Sequence, residues 1–213
     1  MTQNNADDLR ARLKQARKTL PVADRQRASL LIRARLFTWL ATTHTACLTA
    51  GLHSPNIVAG FWPLADEPDL TPLFRQWHEQ GVVVALPVMR QPEQILEFHR
   101  WQPHSEMNQA GFGVMEPTAT TPLVPDVVLV PTLGFTPQAD RLGYGKGFYD
   151  RTLAGLAASH HHPTTIGVAW DNANLHDLDP DYQAAAHDHP LDAIITPTQW
   201  YPDAPSWRGT SLA

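Results

Sequence analysis

The sequence predicts a three-layer α/β domain with a mostly parallel sheet and basic N-terminal helices, and three observations carry that prediction. Five short, β-rich apolar runs recur along the chain: NIVAGFW (56–62), GVVVALPVM (81–89), DVVLVPTLGF (126–135), TIGVAW (165–170) and DAIITP (192–197). They are nearly continuous rather than alternating, the habit of strands covered on both faces. Helical patterns separate several of them, as crossover connections between parallel strands require. Two amphipathic helical segments rich in arginine precede the first run.

Taken in order, Leu9, Leu13, Ala16 and Leu20 recur at helical spacing, with Arg10 and Arg17 at the edge of that stripe and Lys14 just beyond it. This first helix stops near Pro21, and a second runs from about residue 23 to 42 with Leu30, Leu31, Ala34, Phe37 and Leu40 in its apolar set. Crossover helices are expected over residues 70–80, closing on Gly81, and over 147–158. ILEFHRW (95–101) mixes charged and apolar residues and reads as a more exposed strand. The 19 prolines, many at strand ends, point to long ordered connections. In open parallel sheets ligands sit at the carboxyl ends of strands, so the loops after residues 62, 89, 131 and 170 are where chemistry is expected.

Composition bounds the function. With 213 residues, 43% hydrophobic and 17% charged, the chain is expected to form one domain over 1–213. A net charge of −5 argues against bulk nucleic acid or anionic membrane as the main partner. Residues 1–35 nevertheless hold nine Lys or Arg against three acids, a net +6 that leaves −11 for the remainder. Such a basic arm can seat a polyanionic small ligand or be solvated. The single cysteine, Cys47, permits neither an internal disulfide nor a Cys-based zinc site, and no apolar run approaches the ~20 residues of a membrane span. With a polar, acidic start, MTQNNADD, the expectation is a cytoplasmic protein without a signal peptide. His160–His162 and His187-Asp188-His189 read as exposed polar loops rather than metal sites.

The most informative stretch is Arg141-Leu-Gly-Tyr-Gly-Lys-Gly-Phe-Tyr-Asp150, which runs into the 147–158 helix. Alternate glycines at 143, 145 and 147 let main-chain N–H groups approach an anion, the helix start adds further donors, and Arg141 and Lys146 add full charges. It is not a Walker A loop, because Gly147 rather than Ser or Thr follows Lys146. Nor is it GxGxxG, because Phe148 stands where the third glycine belongs. Asp150 in the first helical turn suits either a hard cation beside phosphates or simple dipole stabilisation. Glu67, close to Asp66 and Asp69, is either a recognition carboxylate or part of an acidic surface loop. Trp62 ends a strand and either stacks on a ring or fills the core, while Asp188 read alone is a loop acid or a ligand.

The glycine loop, preceded by PDVVLVPTLGF, resembles the signature of the 5-formyltetrahydrofolate cyclo-ligase (5,10-methenyltetrahydrofolate synthetase) family. LRARLKQARKTLP, FWPLADEPDL, ALPVM, LEFHRW, GFGVMEP and HDHPLDAIITP extend the likeness, in order, over nearly the whole chain. The resemblance implies a Rossmann-like fold and ATP- and Mg2+-dependent conversion of 5-formyltetrahydrofolate to 5,10-methenyltetrahydrofolate, with ADP and phosphate released. It implies ATP contacts at Arg10, Arg141, Leu142, Gly143, Tyr144, Gly145, Lys146, Gly147, Phe148 and Tyr149, with Lys146 and Arg141 assisting catalysis. For the reduced folate it implies Trp62, Glu67, Phe112, Tyr144, Gly145, Lys146, Gly147 and Phe148, and for magnesium Asp150 and Asp188. The chain departs from the family pattern at Ala6, where a second basic residue is common, and at Ala184–Ala186, where acidic residues commonly precede the second metal ligand.

The chemistry suits such residues. A formamide is a poor electrophile, so ring closure through N10 requires the formyl oxygen to become a leaving group. Phosphorylation by ATP achieves this through an N5-iminium phosphate, which N10 attacks before phosphate departs. Phosphoryl transfer asks the protein chiefly for alignment and charge neutralisation, with no protein nucleophile. Two alternatives stand beside this reading: a phosphosugar or coenzyme A thioester enzyme on a similar scaffold, and a folate- or nucleotide-binding protein without catalysis. A monomer acting on small molecules is expected.

Overall fold

The computed structural model describes residues 3–91, 95–184, 191–207 and 209. Helices α1 (Gln3–Thr19) and α2 (Val22–Ala50) precede β1 (Ile57–Ala59), α3 (Thr71–Glu79), β2 (Val83–Val88) and β3 (Glu97–Trp101). Next come β4 (Met107–Gln109), β5 (Met115–Pro117), β6 (Pro122–Leu123), β7 (Val127–Pro131), β8 (Gly134–Phe135) and β9 (Arg141–Leu142). The chain continues through α4 (Phe148–Ala158), β10 (Thr164–Val168), β11 (Ala193–Ile195) and β12 (Trp200–Tyr201). Eight strands form one sheet in the order β12-β11-β10-β7-β1-β2-β3-β6, and two hairpins, β4-β5 and β8-β9, stand apart from it.

The five continuous apolar runs supply the parallel centre of the sheet, β11, β10, β7, β1 and β2. Their continuity has the cause expected of it. Val127 and Leu129 of β7 pack with Ile32, Leu36 and Trp39 of α2 and Phe74 and Trp77 of α3. Val128 and Val130, pointing the other way, pack with Leu9 and Leu13 of α1 and Leu153 of α4. With a helical layer on each face, neither set of side chains meets water. Aspartates fix the strand starts: Asp126 Oδ2 accepts from the Asn56 and Ile57 N–H groups, each at 2.8 Å, and Asp192 Oδ2 accepts from the Thr165 N–H at 2.8 Å.

Three expectations are corrected. Helix α2 runs to Ala50, well past residue 42, because no Gly or Pro interrupts residues 42–50, and it ends only at left-handed Gly51; the hydroxyls of Thr42, Thr45 and Thr49 bond to carbonyls one turn back. Its buried face is Ile32, Leu36, Trp39 and Leu40, whereas Leu30 and Leu31 are 57% and 43% exposed, Ala34 is also exposed and Phe37 is half-buried. More apolar residues lie along this helix than one face can hold, so composition leaves its rotational phase open. The strand over 95–101 is β3, antiparallel to β2 and mostly buried, with His99 wholly enclosed and its Nε2 paired to Glu97 Oε2 at 2.8 Å. His160–His162 lie exposed beyond α4, as expected, and Cys47 is buried and free. Among the described residues no helix is long and apolar enough to cross a membrane.

Candidate active site

The strand order reverses between β1 and β7: the chain leaves β1 towards β2 on one side and leaves β7 towards β10 on the other. At such a switch point the connections diverge and open a crevice outside the carboxyl ends of the strands. A cleft of about 920 Å³ lies there, lined from the β1 side by Trp62 and Glu67 and from the β7 side by Pro131 and the loop 141–151, while α1 supplies Arg10, Lys14 and Lys18. Its size is at the top of the ~300–1,000 Å³ range of small-molecule sites.

The glycine loop is built around guanidinium groups. A Cβ at Gly143 would lie 2.6 Å from Arg141 Nη1, one at Gly145 3.1 Å from Arg10 Cζ, and one at Gly147 2.8 Å from Arg151 Nη1. Each alternate glycine therefore leaves room for a cation against the main chain. Gly145 and Gly147 also take φ of +85° and +65°, in the left-handed region that other residues enter at a cost. Arg10 Nε donates to the Gly143 carbonyl at 3.0 Å, fastening α1 to the loop, and Arg151 Nη1 donates to the Lys146 carbonyl at 2.9 Å. Gly147 is the N-cap of α4 and has no side chain with which to cap the amides of its first turn.

Arg141 and Asp150, expected at a phosphate and at a metal, face each other: Arg141 Nη2 donates to Asp150 Oδ1 at 2.5 Å, with the two side chains 4% and 19% exposed. Among the described residues no group of three or more His, Cys, Asp or Glu gathers to hold a metal. Asp188 lies outside the described residues, as does the side chain of Phe112. Ala6 packs partly against the apolar cluster beneath α1, so Arg10, Lys14 and Lys18 provide that helix's charge at the cleft.

The opposite wall is acidic. Glu67 is buried, receiving the Leu64 N–H on Oε2 at 2.9 Å and the Tyr144 hydroxyl on Oε1 at 2.5 Å. Burial pushes its carboxyl above the usual carboxylate range, against the lowering pull of those hydrogen bonds and of Arg17. Tyr144 and Tyr149 are likewise pushed up, chiefly by burial, and among the described residues the Tyr149 hydroxyl has no hydrogen-bond partner. Trp62 is half-buried; it leans on Trp101 with ring centroids 6.5 Å apart and also lines the cleft, so it serves the core and the site together.

Sequence reasoning missed two residues of the cleft and left a third beneath it open. Glu116 lines the cleft and accepts the Met89 N–H at 3.0 Å; its place in GFGVMEP was its only signal. Arg151 borders the glycine loop, signalled by nothing beyond adjacency to Asp150. Arg17, at the edge of the apolar stripe and so open to either solvent or a partner, is 2% exposed.

The sequence model of the 5-formyltetrahydrofolate cyclo-ligase family matches residues 2–197. A 5-formyltetrahydrofolate cyclo-ligase of Mycolicibacterium smegmatis is 31% identical over 207 residues, 92% of this chain and 96% of that protein. The cyclo-ligase of Escherichia coli K12 is 31% identical over 150 residues, 68% of this chain and 79% of that protein. In fold, the chain is similar to the NMR structure of Aquifex aeolicus 5,10-methenyltetrahydrofolate synthetase, with a TM-score of 0.73 at 24% identity, covering 98% of this chain and 96% of that one. The continuous parallel strands, the glycine loop at their switch point and these matches over nearly the full length agree: the chain belongs to the 5-formyltetrahydrofolate cyclo-ligase family.

Proposed function

We propose that this protein performs the ATP-dependent cyclisation of 5-formyltetrahydrofolate to 5,10-methenyltetrahydrofolate, releasing ADP and phosphate. The observation that carries the reading is the division of one cleft into two walls: glycine-loop amides with Arg10, Lys14, Lys18 and Lys146 on one side, and the buried Glu67 with Trp62 on the other. The first wall suits a triphosphate and the second an N–H-rich, flat heterocycle. A cleft at the switch point brings the two close enough for direct transfer.

In this reading Arg10 and the amides over 143–147 align the triphosphate, and Lys146 neutralises charge spreading over the equatorial oxygens of the transferring group. Arg141, steadied by Asp150, adds a fixed positive charge at the start of the loop. Leu142, Phe148 and Tyr149 complete the nucleotide side. Trp62 stacks on the pterin and Glu67 accepts its N–H hydrogens, with Phe112 and Tyr144 completing the folate side. The formyl oxygen is thereby held towards the phosphate, and N10 closes the ring after transfer. Magnesium takes one or two carboxylates together with substrate phosphates and water, so the single carboxylate of Asp150 beside the cradle fits it. Asp150, with Asp188 through the family likeness, would hold the ion, which supplies charge neutralisation when bound. The same reading makes the chain one domain over 1–213 and a cytoplasmic monomer.

The test is spectroscopic. Purified protein with ATP, Mg2+ and 5-formyltetrahydrofolate is expected to generate the ultraviolet absorbance of the methenyl product, and no gain without ATP. Binding of both ligands with no ADP formed over many equivalents would mark a non-catalytic protein, and indifference to both would point to another phosphorylated substrate.

A further inference from the structure

We propose that Arg17 is a positioning residue for the folate side of the cleft, its buried guanidinium orienting the Glu67 carboxylate both directly and through the Tyr144 hydroxyl. The inference rests on the functional reading above in its choice of ligand, and on geometry in everything else. Arg17 Nη1 donates to the Tyr144 oxygen at 2.7 Å, and the Tyr144 hydroxyl passes its own hydrogen to Glu67 Oε1 at 2.5 Å. Arg17 Nη1 also stands 3.9 Å from that same Oε1, and Nη2 donates to the Thr132 carbonyl just beyond β7. One side chain thus ties α1, the end of β7, the glycine loop and the loop after β1 to a common point.

A guanidinium this deeply enclosed is costly unless it is paired, and arginine's planar fork can serve several acceptors at once where a lysine cannot. The pairing has a directional result. With the Leu64 N–H on Oε2 and the Tyr144 hydroxyl on Oε1, both Glu67 oxygens are fixed, and their remaining lone pairs have one orientation to offer a ligand. Among the described residues the titratable and charged groups facing Glu67 are Arg17 from α1, Tyr144 from the glycine loop, Tyr149 from α4 and Asp66 beside it in the chain. Arg17 is the one cation among them. Its charge therefore also lessens the upward push that burial gives the Glu67 carboxyl. Because α1 also carries Arg10, the helix that steadies the phosphate side steadies the folate side as well.

The test has two arms. In the first, Glu67 is titrated by 13C NMR in wild type, Arg17→Met and Tyr144→Phe. Both substitutions are expected to move its titration upward, Arg17→Met by about 1–3 pH units, and Arg17→Lys to restore much of that shift. An unchanged titration in these variants overturns the proposal whatever the substrate is. Should Arg17→Met fail to fold, Tyr144→Phe and Arg17→Lys carry this arm. In the second arm, kinetics of the active enzyme are expected to show KM for 5-formyltetrahydrofolate raised about 10- to 100-fold in Arg17→Met, with KM for ATP little changed. The acid limb of kcat/KM for the folate is expected to move to higher pH. An equal rise in both KM values, or a rise for ATP alone, overturns the positioning role. A wild-type protein that does not turn over the folate overturns the functional reading instead, and the NMR arm then decides on Arg17.

Discussion

Helices α1 and α2 share a basic composition but use it differently. Two arginines of α1 reach functional main chain and side chains: Arg10, lining the cleft, holds the Gly143 carbonyl, and the buried Arg17 holds Tyr144 and pairs with Glu67. Three arginines of α2 hold loop carbonyls from outside. Arg25 Nη1 donates to Ala65 O at 2.8 Å and Arg33 Nη1 to Asp69 O at 2.7 Å, while Arg35 reaches the Pro197 and Thr198 carbonyls. Both helices thus secure the loop that carries Glu67, α2 through its backbone and α1 through its key side chain. The lesson is that a run of like charge takes its meaning from position relative to the carboxyl ends of the strands, which charge counting along the chain does not reveal.

Substitutions can break this contrast in graded fashion. The largest effect is expected opposite α1, at the cation the cradle adds to its own: Lys146→Ala should lower kcat by about 10²–10³-fold with an unaltered circular dichroism spectrum, since its charge meets the transferring phosphate. Wild-type turnover in that variant would remove the phosphate role. Arg10→Ala comes next, with an expected loss of about 10- to 100-fold in kcat/KM for ATP, because it both meets the nucleotide and fastens the loop. Gly145→Ala should mimic it in steady-state kinetics, as the added methyl must strain a φ of +85° and crowd the Arg10 guanidinium.

Glu67→Gln sharpens the comparison by separating stability from function. Burial raises the folded-state pKa of Glu67 above its unfolded value, so its contribution is most favourable at low pH and is lost as pH rises through the folded value. Glutamine carries no charge to desolvate but leaves the Arg17 guanidinium without its carboxylate, so its Tm relative to wild type is expected to improve as pH rises from acid to neutral, while most turnover is abolished. A thermal scan across pH checks the sign. The smallest effect belongs to α2: Arg33→Ala should cost no more than about 1 kcal/mol in denaturant unfolding and leave kcat/KM within about twofold.

The parts of the molecule that were legible in the sequence are those whose cause is local. The parallel strands declared themselves because both faces are covered, and the glycine loop because its amides and cations are adjacent in the chain. The phase of α2 was illegible because apolar residues surround the helix, and only the sheet selects Ile32 and Leu36 over Leu30 and Leu31. Arg17 was illegible because its partners Tyr144 and Thr132 lie 127 and 115 positions away. Glu67 and Trp62 stood open between surface or core and site until the reversal of strand order set them on the rim of the cleft. Arg151 bore no local mark of its place there, and Glu116 none beyond its place in GFGVMEP.

The central claim is that the cleft brings a triphosphate onto the formyl oxygen of a reduced folate, and an isotope decides it. With 18O in the formyl group of 5-formyltetrahydrofolate, the account expects the label to emerge in the inorganic phosphate, one atom per methenyl product. Unlabelled phosphate formed alongside that product would contradict it.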